Sequence, residues 1–427
     1  MTGAWRQFRS FETSVRLLLI NQLTINLGFY MLMPYLAAHL SGDLGMAAWT
    51  VGLVLGVRNL SQQGMFLVGG ALADRIGYKP LIVAGCALRT LGFALLGFVD
   101  ALPALLVASA ATGLAGALFN PAVRAYLAAD SGARRVEAFA LFNVFYQAGI
   151  LLGPLIGVAL TGVAFQLTCT VAAALFVVLT AVQLRQLPAR SGGGGTERPV
   201  LRVQGRAVLA NRPFWLFSAA MVGSYVLSFQ VYLALPLETK RLVGDGNKGT
   251  VATSALFVVS ALVALAGQMR ITGWCKRRLR REQCLTAGLV LMAAAFLPPL
   301  VTAGRPAAGS SLPAVLGAVA PLLLSAALLA AGTTVLYPFE MDTIVALSGD
   351  RWVATHYGLY NTVAGVGITV GNLATGGALD ASRSVGHPGL PWLVLALIGM
   401  LGAAAMAALG RSGRLTAAPV KAQPVST

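Results

Sequence analysis

The sequence predicts an all-α membrane protein of twelve transmembrane helices in two six-helix bundles, with both termini in the cytosol. Three observations predict it: a scarcity of charge, twelve long apolar runs, and a one-sided distribution of basic residues. Only 11% of the 427 residues are charged and 57% are hydrophobic, with a mean hydropathy of +0.76. A soluble globular protein carries roughly 25% charged residues, so this chain has too little polar surface to face water on all sides. A net charge of +17 would raise the question of nucleic acid in a soluble domain. Here the basic residues fall mainly in short segments between apolar runs, where membrane topology accounts for them. No nucleic-acid partner is expected.

A helix needs about 20 apolar residues to cross the hydrocarbon core, and lipid offers the backbone no hydrogen-bond partner but itself. Six such runs occupy 15–39, 47–73, 80–99, 102–123, 138–160 and 165–184. Six more occupy 213–236, 250–273, 284–303, 312–337, 354–379 and 390–410. Between the two sets, 185–212 holds the glycine run Gly192 to Gly195 and six Arg (Arg185, Arg190, Arg198, Arg202, Arg206 and Arg212). Its composition reads as a flexible basic linker. The domains expected are therefore 1–184, the linker 185–212, 213–410, and a tail 411–427. With the N-terminus inside, the cytosolic segments carry 24 of the Lys and Arg residues. The outer loops carry five (Lys240, Arg241, Lys248, Arg305 and Arg383), and Arg58 and Arg89 fall within runs. That asymmetry supports an even number of crossings.

The first run continues past Tyr30 without a small-residue cleavage site, so no cleaved signal peptide is expected. Cys86, Cys169, Cys275 and Cys284 form no C-x-x-C pair, which argues against a zinc site or disulfide framework. No nucleophile triad or phosphate loop appears, and the glycine run lacks the strand–helix context of a nucleotide site. Neither enzyme activity nor a cofactor is expected. Trp5, Trp49 and Trp392 read as interface anchors. His39, His356 and His387 read as solvated or capping residues near span ends. The five basic residues within Lys276 to Arg281 read as topogenic.

The turn after the second run reads Gly70-Ala71-Leu72-Ala73-Asp74-Arg75-Ile76-Gly77-Tyr78-Lys79. It resembles the G-x-L-A-D-R-x-G-R-K signature of the major facilitator superfamily and departs at Tyr78, where Arg is usual. The resemblance implies a conformational latch made by Gly70, Asp74, Arg75, Gly77 and Lys79. Gly70 and Gly77 allow close packing and a tight turn, Asp74 can favour a neighbouring helix N-terminus, and Arg75 and Lys79 can close a charge network. The fifth run carries Gly149-x-x-x-Gly153-Pro154-x-x-Gly157. This resembles the G-x-x-x-G-P-x-x-G motif of the superfamily's antiporters, although such small-residue spacing also serves plain helix packing. The stretches Val57 to Gly64, Gly69 to Pro80, Ala87 to Gly97, Leu118 to Pro121 and His387 to Trp392 extend the likeness to a multidrug-resistance group of the drug:proton antiporter branch. It implies a bacterial inner-membrane exporter of small amphipathic compounds, a monomer, with protons as the candidate coupling ion.

Two features of that branch are missing. Its usual acidic residue in the first span is replaced by Leu19-Ile20-Asn21-Gln22, and its Arg in the fourth span by Ser109-Ala110-Ala111-Thr112-Gly113. No Asp or Glu lies in the middle of an expected run. Glu340, with Asp342 at the cytosolic end of the tenth run, is the proton-site candidate, and a solvated helix end is the plainer reading. Arg58 and Arg89 fall mid-run, where an Arg costs roughly 2.5–3.5 kcal/mol unless partnered or hydrated. Arg58, one turn from Gln62, could bind an anionic substrate group, or either Arg could pair with Asn21, Gln22 or Asn26. The family layout makes Gln22, Asn26, Tyr30, Arg58, Gln62, Asn143, Gln147, Tyr225, Phe229, Tyr232, Tyr357 and Asn361 candidates for a cavity mixing aromatic and amide groups. A dedicated carrier for one anionic metabolite through Arg58 is the rival reading. A non-transporting sensor or scaffold is a third.

Overall fold

Backbone groups in a lipid-facing chain satisfy one another most simply along a helix. The computed structural model describes residues 2–161, 164–190, 201–244, 247–307, 309, 311–384, 386–413 and 415, and among these no strand occurs. The expected glycine linker, 192–195, and most of the tail lie outside the described residues. Fifteen α-helices are present among them. They are α1 (Thr2–Arg9), α2 (Thr13–Ala38), α3 (Ala48–Ile76), α4 (Tyr78–Phe98), α5 (Leu102–Ser131), α6 (Arg135–Thr161) and α7 (Phe165–Gln186). Within the expected linker 185–212 the chain forms α8 (Leu201–Leu209), so that part is helical and not a flexible coil. Then come α9 (Arg212–Phe229), α10 (Ala234–Val243), α11 (Asn247–Arg278), α12 (Arg281–Ala294), α13 (Leu312–Ser348), α14 (Val353–Ser384) and α15 (Leu390–Arg411).

Ten stretches are long and apolar enough to cross a membrane by length and composition. One of them, Leu102–Gly157, contains both α5 and α6, while α3, with its internal polar residues, falls outside the ten. Helices α2 to α7 pack on one another, chiefly α2 on α6 and α7, α3 on α5, and α4 on α5 and α7. Helices α9 to α15 form a second group through α11 and α12 on α13, α12 on α15, and α9 on α14 and α15. The groups meet where α3 packs on α14 and where α6 packs on α11 and α13.

Sequence chemistry explains the main boundaries. Gly77 ends α3 with φ +99 and lets α4 begin at once, a backbone region that suits glycine. Gly349 ends α13 in the left-handed conformation. Pro321 and Pro338 lie inside α13, and Pro121 inside α5. A 37-residue helix is about 55 Å long, well beyond a bilayer core of about 30 Å. Helices α5 and α13 therefore run on past the apolar runs that announce them, to Ser131 and Ser348.

Some side chains sit elsewhere than expected. Trp392 is 1% exposed and belongs to the core instead of an interface belt. His356 is buried between Phe214 and Asn211, and His39 stacks on Phe165 while meeting Asp43 at 2.6 Å. The unanticipated α1 lays Phe8 against Phe145, and Gln7 reaches Glu137 at the start of α6.

Candidate functional site: a cavity between the two helix groups

The signature turn joins the helix groups. Asp74 is 3% exposed, and its carboxylate accepts from the Ala354 and Thr355 N–H groups at 3.2 and 2.7 Å and from the Thr355 hydroxyl at 2.7 Å. The first N–H groups of a helix have no partner within it, and the helix dipole favours an anion there. Asp74 on α3 thus caps α14 from outside the chain's local sequence. The fit depends on Gly70, where a Cβ would run into the Ala354 carbonyl. At Gly77 a Cβ would stand 2.9 Å from the Arg190 carbonyl, which accepts from the Tyr78 N–H. Lys79 donates to the Leu184 carbonyl at the end of α7 and not to a carboxylate, and Arg75 is exposed.

Further links lie on the same side. Arg135 on α6 meets Asp342 at 3.3 Å and Asp350 at 2.8 Å, and Lys276 on α11 meets Glu137 at 2.8 Å. Asn143 on α6 donates to Gln268 on α11. The Thr362 hydroxyl reaches the Gln63 carbonyl, joining α14 to α3. Together these contacts close that end of the interface.

Above them is a cavity of about 420 Å³ walled by both helix groups, a size suited to a small organic ligand. Of the candidates read from the sequence, Tyr30, Asn143, Gln147, Tyr225, Phe229, Tyr232, Asn361 and Glu340 line it. Ser224, Ser228, Ser260, Thr333, Phe257, Tyr146 and Tyr337 add hydroxyl and aromatic surface.

Glu340 corrects the solvated-end reading. It is 2% exposed, inside α13, and its carboxylate accepts from the Tyr360 hydroxyl, with Tyr225 also against it. Asp342 is likewise buried and is held by Arg135 and Arg281. Arg124 on α5, which the sequence reading places among the loop charges after the fourth run, lines the same cavity within electrostatic reach of Glu340. It stands beside Tyr225 and Tyr357 and is hydrogen-bonded to Tyr337, while its Nε and Nη1 are buried with no hydrogen-bond partner among the described residues. Glu340 is a candidate from sequence and Arg124 is not, yet the two share one placement. Both sit just beyond an apolar run, on helix that continues after the hydropathy falls.

The other candidates lie outside the cavity. Arg58 bonds Gln62 at 3.3 Å and also Asn59, and its guanidinium lies 5.0 Å from the Phe29 ring. Arg89 lies over the same ring at 5.6 Å and over Phe176 at 5.7 Å. Cation–π contact and adjacent amides therefore accommodate these charges, with Gln62 and Asn59 as the amides at Arg58, where the sequence leaves Asn21, Gln22 or Asn26 open as one reading. Asn26 donates back to the Gln22 carbonyl, and Tyr357 to the Met341 carbonyl. The glycines of α6 form a packing seam on α2: Gly149 sits against Asn26 and Leu23, Gly153 against Tyr30, and Gly157 against Met31. Tyr35 closes it by donating to the Pro154 carbonyl at 2.8 Å.

The family model of the Major Facilitator Superfamily matches residues 18–371. The chain belongs to the major facilitator superfamily. It is a multi-pass membrane protein of transporter type, as the resemblance in the Asp74 turn implies. It is 52% identical over 404 residues to the uncharacterized MFS-type transporter Rv0849 of Mycobacterium tuberculosis strain H37Rv, covering 95% of each chain. It is 31% identical over 386 residues to the multidrug resistance protein MdtH of Klebsiella pneumoniae strain 342, covering 90% of this chain and 91% of that one. Its fold is similar to the crystal structure of the human organic anion transporter MFSD10 (TETRAN), with a TM-score of 0.68 at 16% identity over 92% of this chain and 98% of that one.

Proposed function

We propose that this chain is a secondary transporter of the bacterial inner membrane that exports small amphipathic organic compounds by alternating access. It crosses the bilayer twelve times as two bundles of six, with both termini and the 185–212 linker in the cytosol. Splitting Leu102–Gly157 into its two helices and adding α3 to the ten apolar stretches supports that count. The observation that carries the reading is a cavity walled by both bundles and closed on one side by contacts a rocking motion would break. Gly70, Asp74 and Gly77 act as the latch of that closed side, and Arg75 and Lys79 flank it. Glu340 is the proton site, at the floor of the cavity. The likeness to MdtH supports a multidrug-type substrate range.

The test is flux into and out of proteoliposomes under an imposed pH gradient, across a panel of dyes, antibiotics and organic acids. Saturable flux of at least one amphipathic compound, lost in the Glu340→Gln variant when a pH gradient is the driving force, is expected. Flux of every compound at the rate of protein-free vesicles would refute transport.

A further inference from the structure

We propose that the cavity takes an organic anion at Arg124, and that the anion binds together with a proton on Glu340. This rests on the transport reading of the cavity. It narrows the substrate class and reverses the sign of coupling that the antiporter resemblance implies, so that an inward proton gradient drives uptake of such an anion where the reading above has export.

The argument is one of charge. Among the residues lining the cavity, Arg124 is the one fixed cation and Glu340 the one carboxylate; the remaining wall is aromatic, hydroxyl, amide and aliphatic. Arg124 leaves Nε and Nη1 buried without a partner among the described residues. Donors buried and unmet are costly, and a ligand acceptor relieves that cost. A guanidinium meets carboxylates and sulfonates with charge-assisted hydrogen bonds. The ring-rich wall above it suits the apolar body of the same ligand.

Glu340 is the internal rival for that cation. From α13 it lies within electrostatic reach of Arg124 on α5 and meets Tyr360 on α14 and Tyr225 on α9, with Tyr337 on its own helix. Tyr146 on α6 and Tyr357 on α14 complete the groups around Arg124. Asp342, two residues along, is committed to Arg135 and Arg281. With Glu340 ionised, the wall is neutral, and an entering anion must divide Arg124 with it. A proton taken from water onto the Glu340 carboxylate leaves Arg124 to the ligand. By reciprocity, a bound anion that occupies Arg124 raises the proton affinity of Glu340 by the same factor. Anion and proton then cross together, and net movement follows the sum of their two gradients.

The experiment is equilibrium dialysis of pyrene-1-sulfonate against the full chain in phosphatidylcholine nanodiscs from pH 5.5 to 8.5, with protein-free discs subtracted. The sulfonate stays anionic throughout, so any pH dependence belongs to the protein. Wild-type affinity should weaken as pH rises, by up to tenfold per unit. Glu340→Gln should bind tightly with no pH slope. Arg124→Gln should bind at least tenfold more weakly at low pH yet keep its affinity for neutral 1-pyrenemethanol, which reports an intact cavity. Arg124→Lys, which keeps the charge, should recover part of the loss. Sulfonate affinity within twofold of wild type in Arg124→Gln overturns the proposal. So does a pH slope in Glu340→Gln equal to the wild-type slope, an arm that leaves Arg124 untouched. Flux of both probes in vesicles separates the two claims. If neither probe nor any compound of the panel crosses faster than in protein-free vesicles, the transport reading falls. If both cross but the Arg124 and Glu340 variants behave as wild type, only the anion claim falls.

Discussion

Asp74 shows how one side chain holds two helix groups together. Its carboxylate receives two backbone N–H groups and a hydroxyl from the first turn of α14, all in a water-poor contact. Hydrogen bonds to a charged group contribute about 1.5–3 kcal/mol. An Asn at this position has one acceptor oxygen and turns an NH2 toward the same donors. Asp74→Asn should therefore shift the closed side toward opening by roughly 10- to 100-fold in population. Spin labels replacing the exposed Arg75 and Arg351 would report this as a longer distance distribution, accompanied by slower transport in correctly inserted protein. Unchanged distances and wild-type rates would remove Asp74 from the latch. The motif was legible in sequence because its spacing is stringent, whereas its geometry was not: nothing local to Asp74 says that its donors lie some 280 positions onward. Arg124 was hidden for a different reason. A charge next to an apolar run looks topogenic, and only the facing helices α13 and α14 turn it into a cavity group.

Helix boundaries are where hydropathy and hydrogen bonding part company. The sequence runs end at 123 and 337, while α5 and α13 continue to Ser131 and Ser348. Propagating a helix by one residue adds a hydrogen bond at little cost, and packing against protein replaces the need for apolar side chains. The extra turns carry Arg124, Glu340 and Asp342 into contact with other helices. The α6–α2 seam shows the opposite case, in which sequence pattern and packing agree. Gly149, Gly153 and Gly157 recur every four residues, and a Cβ at Gly153 would stand 2.8 Å from the Tyr30 Cβ and 3.0 Å from the Leu27 carbonyl. Gly153→Leu has no room without parting the helices, and overpacking of this kind costs about 1–3 kcal/mol. It should lower the thermal midpoint of the detergent-solubilised protein and displace Tyr30 from the cavity wall. A midpoint equal to wild type would mean that α2 and α6 are not tightly seated here.

At the scale of the whole molecule, the α3–α14 and α6–α11/α13 contacts between the helix groups gather on one side, while Tyr30 and Tyr232 meet from opposite groups at the cavity wall. From α3, Gln63, Phe66, Gly70 and Asp74 meet Gly365, Thr362, Gly358, Ala354 and Thr355 of α14. From α6, Arg135, Glu137 and Asn143 meet Asp342, Lys276 and Gln268. If the two bundles rock about a central site, this seam must part once in each cycle, and holding it shut must stop turnover. Gln63 and Gly365 offer the means, since a Cβ at Gly365 would press directly on the Gln63 side chain. In a background where the four buried cysteines are replaced, a Gln63→Cys, Gly365→Cys pair should oxidise to a disulfide across the seam. Vesicle flux should then fall to background and return on reduction, while either single cysteine variant transports with and without oxidant. The reversibility excludes misfolding as the cause of the loss. Full flux with the disulfide demonstrably formed would mean that the substrate path does not pass through this seam, and the rocking mechanism would have to be abandoned.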